Sequence, residues 1–74
     1  MRDELRALLA ELFRLPIESV PENASPDNIR GWDSLAHLQL ISILEKRFQM
    51  RFALRELQMM DSLERIEAVL LKKK

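Results

Sequence analysis

Asp27 to Ile41 reads DNIRGWDSLAHLQLI, and a loop turns into a helix at its centre. Gly31 is the only glycine of the chain and Trp32 its only tryptophan. A glycine there permits a backbone turn that other residues resist. Asp33 is a strong N-cap, because its carboxylate can accept the free amides of a first helical turn. Ser34 is then the first helical residue. Its hydroxyl is not needed for capping and is expected to face solvent. The apolar spacing that follows predicts a helix to Arg47 or Phe48.

The chain reads outward from that junction. On the N-terminal side, Leu15 to Trp32 is a long connection holding all three prolines, Pro16, Pro21 and Pro26, with Asn23, Ser25 and Asn28 among them. Loops of this length in small domains are commonly functional. Ile17, Val20 and Ile29 are its expected anchors to the core. Before it, Leu5, Leu8, Leu9, Leu12 and Phe13 form one apolar stripe at helical spacing, with Asp3 and Glu4 in the first turn and Pro16 as the stop. On the C-terminal side, a short helix is expected at Leu54 to Met59. A final helix carries Leu63, Ile66, Val69 and Leu70, with Asp61 and Glu64 as a capping box. Strand alternation, repeats and low-complexity segments are absent. The expected fold is all-α: a small bundle of three main helices plus one short helix, with the long loop between helices one and two. Residues 1–71 make one domain, and Lys72, Lys73 and Lys74 a frayed basic tail.

Composition narrows the function classes. The chain has 74 residues, 47% of them hydrophobic, enough for one real core. It has no cysteine and a single histidine, so neither disulfides nor a metal site is expected. Twelve basic and twelve acidic residues cancel, which argues against nucleic-acid binding. No apolar run approaches a membrane span, and MRDELRALLAELF does not resemble a signal peptide, so a soluble, cytoplasmic protein without membrane insertion is expected. Charge is nonetheless uneven. Residues 16–34 carry Glu18, Glu22, Asp27 and Asp33 against Arg30, whereas 35–60 carry Lys46, Arg47, Arg51 and Arg55 against Glu45 and Glu56.

Asp33, Ser34 and His37 superficially suggest a hydrolase. Asp33 is committed to the helix cap, however, and no glycine-rich turn offers an oxyanion hole. Catalysis is therefore not expected. A free hydroxyl at a helix N-terminus suits a different chemistry, since the helix dipole and unpaired amides stabilise a phosphate ester placed there.

Asp33-Ser34-Leu35 inside a small helical domain resembles the acyl carrier protein family. The order of elements supports the likeness over nearly the whole chain: helix, long loop, GWDSL, a second helix ending LEKRF, a short third helix and a final DSLERIEAVL. WDSL and the FALREL…MDSL ending resemble stand-alone carriers of specialised pathways. The resemblance implies that a phosphopantetheinyl transferase attaches 4′-phosphopantetheine to Ser34. The arm's thiol would hold an acyl or aminoacyl cargo for a loading enzyme and a downstream synthase or transferase. The protein itself would be a non-catalytic carrier, with a monomer as the default.

At about 100° per residue the second helix divides into two faces. His37, Leu40, Ile41, Leu44 and Phe48 point to the bundle. Leu35, Leu38, Gln39, Ser42, Glu45 and Lys46 lie opposite and are the expected partner-docking face. This helix is usually acidic in fatty-acid carriers, but here Ala36 and Gln39 occupy usually acidic positions and Lys46 and Arg47 close it. Partners with a less basic docking surface are expected. His37 is either a hydrogen-bonded helix histidine or a residue at the mouth of an inter-helix pocket. Trp32 is expected to pin the loop to the bundle, and Met50, Met59 and Met60 to fill the core. The competing reading is a helical adaptor that docks partners through Leu35 and Leu38 without modification.

Overall fold

The computed structural model describes residues 1–73. Four α-helices follow one another: α1 (Arg2–Phe13), α2 (Ser34–Phe48), α3 (Leu54–Met59) and α4 (Leu63–Lys73). A 3-10 turn, Ile17–Ser19, lies in the connection between α1 and α2. No strand occurs among the described residues. The all-α bundle with its long first connection is thus as the apolar spacing predicted.

One core gathers α1, α2, α4 and the loop, with Leu57 of α3 packed against its margin. Leu5, Leu8 and Leu9 of α1 meet Leu40, Ile41 and Leu44 of α2 and Leu63, Ile66 and Leu70 of α4. The Cα radius of gyration is 11.2 Å. That matches the ~11 Å expected of a compact chain of this length. Leu12, Phe13 and Phe48 pack at the core's margin, partly buried.

Helix ends follow from local chemistry. α1 stops at Phe13, before Pro16, because Arg14 adopts a left-handed conformation (φ 56°) and Leu15 N–H donates to the Ala10 carbonyl at 2.8 Å. α2 stops in the same way at Gln49 (φ 52°), with Met50 N–H on the Glu45 carbonyl. At α3, Glu56 accepts from Ala53 N–H at 2.7 Å, and alanine offers no side-chain acceptor in return. The cap of α4 differs from expectation. Ser62, not Asp61, is the capping residue: its Oγ accepts from Arg65 N–H at 3.2 Å. Asp61 instead lies 3.4 Å from the Arg65 guanidinium. α4 also continues through Lys72 and Lys73, where fraying was expected, and Lys73 Nζ sits 3.1 Å from Glu56. Lys74 lies outside the described residues.

The long connection is packed, not slack. Val20, Ala24, Ile29 and Trp32 are buried, while Ile17, an expected anchor, is 42% exposed. Ile17 opens the 3-10 turn, and Val20 three residues on takes the inward position. Arg6 of α1 fastens the segment from outside, its guanidinium donating to the Val20 carbonyl at 3.0 and 2.7 Å and to the Ile17 carbonyl at 3.2 Å. Leu63 N–H donates to the Ala24 carbonyl at 2.8 Å and ties the loop to the start of α4.

Candidate functional site

The site grows from the turn into α2. Gly31 has φ +91°, in the region that side-chain-bearing residues resist. A Cβ there would meet Phe13 only at 3.8 Å, so the demand for glycine is conformational and not a matter of space. Asp33 N–H then donates to the Gly31 carbonyl at 2.9 Å, which closes a three-residue turn with Trp32 at its apex. The chain leaves this turn extended at Asp33, and its carboxylate accepts Ala36 N–H at 2.9 Å. That is the cap read from sequence.

Ser34 therefore begins α2 with its side chain exposed. Asp33 takes the Ala36 amide, and the amides of Ser34 and Leu35 have no acceptor among the described residues. Those free N–H groups and the positive end of the helix dipole lie at the same helix end as the Ser34 hydroxyl.

The histidine is committed elsewhere. Trp32 Nε1–H donates to His37 Nδ1 at 3.1 Å. Indole nitrogen can only donate, so Nδ1 must be the bare nitrogen, and Nε2 carries the hydrogen. Nε2–H donates to the Leu57 carbonyl at 3.0 Å. The imidazole also stacks on Trp32 (centroids 6.2 Å, planes 23° apart), and Trp32 in turn packs on Phe13 at 5.7 Å. With both ring nitrogens engaged, His37 cannot take a proton from Ser34. It holds α3 to α2, and Trp32 pins the loop between α1 and α2.

These contacts frame an open cleft of about 490 Å³ with Ser34 on its rim. Trp32, His37 and Leu38 form one wall and Leu54, Leu57 and Gln58 the other, with Pro26 and Asp61 at the margins. Pro26, Leu54, Leu57 and Gln58 were not singled out from sequence. The one available signal was Leu54 and Leu57 at i and i+3, which reads equally well as a core stripe.

Of the expected docking face, Leu35 (66%) and Leu38 (57%) are strongly exposed, as are Gln39, Ser42 and Lys46. Leu38, Gln39 and Ser42 border a shallow groove against Leu12 of α1. Glu45 departs from that face. It is half-buried, and its carboxylate accepts Phe52 N–H at 3.0 Å, so it fastens the turn between α2 and α3. Among the methionines, Met60 is fully buried and Met50 partly so, but Met59 is 55% exposed and fills no core. No cluster able to hold a metal ion occurs among the described residues.

The family model described as the phosphopantetheine attachment site matches residues 3–70. The chain belongs to that family. Its match spans α1 to the end of the buried stripe of α4 and so takes in the whole core. Members carry covalently attached 4′-phosphopantetheine and act as carriers for other enzymes, not as catalysts. The local geometry suits such an arm, offering a free hydroxyl, unpaired helix amides for a phosphate and an apolar cleft alongside. No curated protein matches the sequence at a significant level. No helix among the described residues is long and apolar enough to cross a membrane.

Proposed function

We propose that this carrier bears its 4′-phosphopantetheine on Ser34 and holds an acyl or aminoacyl cargo within a specialised biosynthetic pathway. One observation carries the assignment: Ser34 is an exposed hydroxyl at the capped start of a fifteen-residue helix, on the rim of an apolar cleft. When bound, the arm supplies the thiol on which cargo rides as a thioester. The protein's own residues position it. Gly31 and the Trp32 turn aim the start of α2 outward, Asp33 caps the helix, and the free amides of Ser34 and Leu35 face the esterified oxygen.

A phosphopantetheinyl transferase must recognise Ser34, and a loading enzyme and a synthase or transferase must follow. Leu35, Leu38, Gln39 and Ser42 supply the face they dock on, and Lys46 extends it. The scarcity of acids on this face supports a pathway other than bulk fatty-acid synthesis. Intact mass tests the assignment. Wild type and Ser34→Ala are each incubated with coenzyme A, magnesium and a broad-specificity transferase. Wild type is expected to gain one phosphopantetheine and Ser34→Ala none. Modification of both would move the site elsewhere. Modification of neither, beside a control carrier that is modified, would favour an unmodified adaptor docking through Leu35 and Leu38.

A further inference from the structure

At the far end of α2 from Ser34, Ser42, Lys46, Gln49, Met50 and Arg51 line a second concavity of about 530 Å³ together with Glu45. Its charges are not equivalent. Glu45 turns its carboxylate to Phe52 N–H, whereas Lys46 and Arg51 are exposed and have no ion-pair partner among the described residues. Arg47, the next cation, is already occupied by Glu4 at 3.5 Å. From Ser34 to Arg55 the chain holds Lys46, Arg47, Arg51 and Arg55 against Glu45 alone. Lys46 lies eight residues beyond Leu38, about 12 Å along the helix at 1.5 Å per residue.

We infer that the docking face is a two-point footprint for a partner protein with an acidic, partly apolar surface: an apolar contact for Leu35 and Leu38, and carboxylates about 12 Å away that enter the concavity between Lys46 and Arg51. Apolar area supplies contact, and the two free cations set orientation and select against basic surfaces. The inference rests on the docking role of α2 and adds the partner's charge. The Lys46 and Arg51 side chains are exposed and make no ion pair among the described residues, so changing them is expected to preserve the fold.

The probe is a sixteen-residue amphipathic helical peptide with two leucines on one face and two glutamates eight residues further on. A matched peptide carries lysines in place of the glutamates. Each is titrated into uniformly nitrogen-15-labelled carrier while amide shifts are followed. The glutamate peptide is expected to shift amides from Leu35 to Arg51 and to bind about tenfold more tightly than the lysine peptide at low salt. The preference should fall towards unity by about 0.5 M sodium chloride, and K46E/R51E should invert it. Equal binding of both peptides, a preference for lysine, shifts confined to other helices or no shift at all would each overturn the inference. Gain of the arm on Ser34 is scored separately by mass. Modification without charge preference therefore sinks only this footprint, and absence of modification sinks the attachment assignment.

Discussion

His37→Ala is the substitution that most directly tests how the site is held. The imidazole makes two hydrogen bonds, 3.1 Å from Trp32 and 3.0 Å to Leu57. Each is worth about 1 kcal/mol net, and losing the ring's stacking on Trp32 removes roughly another 0.5 kcal/mol. Trp32 is only 5% exposed with the imidazole in place, and its N–H is left without its protein acceptor. The expected loss is about 2–3 kcal/mol. Against a total stability of roughly 4–11 kcal/mol for a chain of 74 residues, that is a large fraction. Urea unfolding followed by helical circular dichroism reads it, and Trp32 fluorescence reports the local environment in parallel. Trp32→Phe removes the donor but keeps a ring, and the double-mutant cycle with His37→Ala should give a coupling of about 1 kcal/mol. His37→Gln, which can accept from one side and donate to the other, should recover part of the loss. A loss under about 0.5 kcal/mol for His37→Ala, or additivity in the cycle, would mean that the Trp32–His37–Leu57 link contributes nothing to stability.

Other substitutions probe other parts. Gly31→Ala should destabilise by about 1 kcal/mol or more through its positive φ alone, and an unchanged urea midpoint would refute the conformational argument. Gln49→Gly should stabilise by roughly 0.5 kcal/mol, since it relieves a left-handed side-chain-bearing residue at the end of α2; a lower midpoint would show that Gln49 makes contacts worth more than that relief. The bond from Arg2 holds the Glu67 carboxyl below its ordinary value, and the Ala53 amide followed by Lys73 does the same for Glu56. Both are ionised in the folded state at lower pH than in the unfolded chain. Their stabilisation is therefore complete above the usual carboxylate range and is lost as pH falls below about 4. Urea midpoints measured from pH 7 to pH 3 should drop in that window, and Glu67→Gln should flatten the drop. Arg6→Met should loosen the loop while sparing α1, visible as faster amide exchange at Val20 and Ala24 with exchange in Leu8 and Leu9 unchanged.

How far the sequence carried depended on whether the deciding forces were local. Gly31, Trp32, Asp33 and Ser34 are neighbours, and their turn, cap and exposed hydroxyl follow from backbone preferences alone. The inner face of α2 was equally legible, because Leu40, Ile41 and Leu44 keep helical spacing. Long-range choices were not. Asp61 and Ser62 are adjacent good caps, and only the placed backbone shows that Ser62 Oγ meets the Arg65 amide while Asp61 pairs with the Arg65 guanidinium. Ala24 carries little apolar area and sits among loop residues, so nothing in the pattern marks it as more buried than Ile17. Arg6 and Glu45 look like solvated helix charges until the carbonyls and the amide they reach are placed in space. His37 was legible as a hydrogen-bonded histidine, but its partners were not, since Leu57 contributes only backbone.

The thin attachment of α3 has a dynamic consequence. A helix of six residues is far below the length that holds in isolation. All six of its residues are half-buried or exposed, so it contributes none to the fully buried core. Its retention depends on the His37 bond to Leu57, the Glu56–Lys73 pair and the packing of Leu57. It is therefore expected to be the first helix to open, and its amides should exchange with solvent well before those of α1, α2 or α4. The same segment is one wall of the cleft beside Ser34. Opening of α3 alone would widen the cleft while Leu40, Leu44, Ile66 and Leu70 stay packed, so on the proposed role cargo of different bulk would not require melting the fold that presents it.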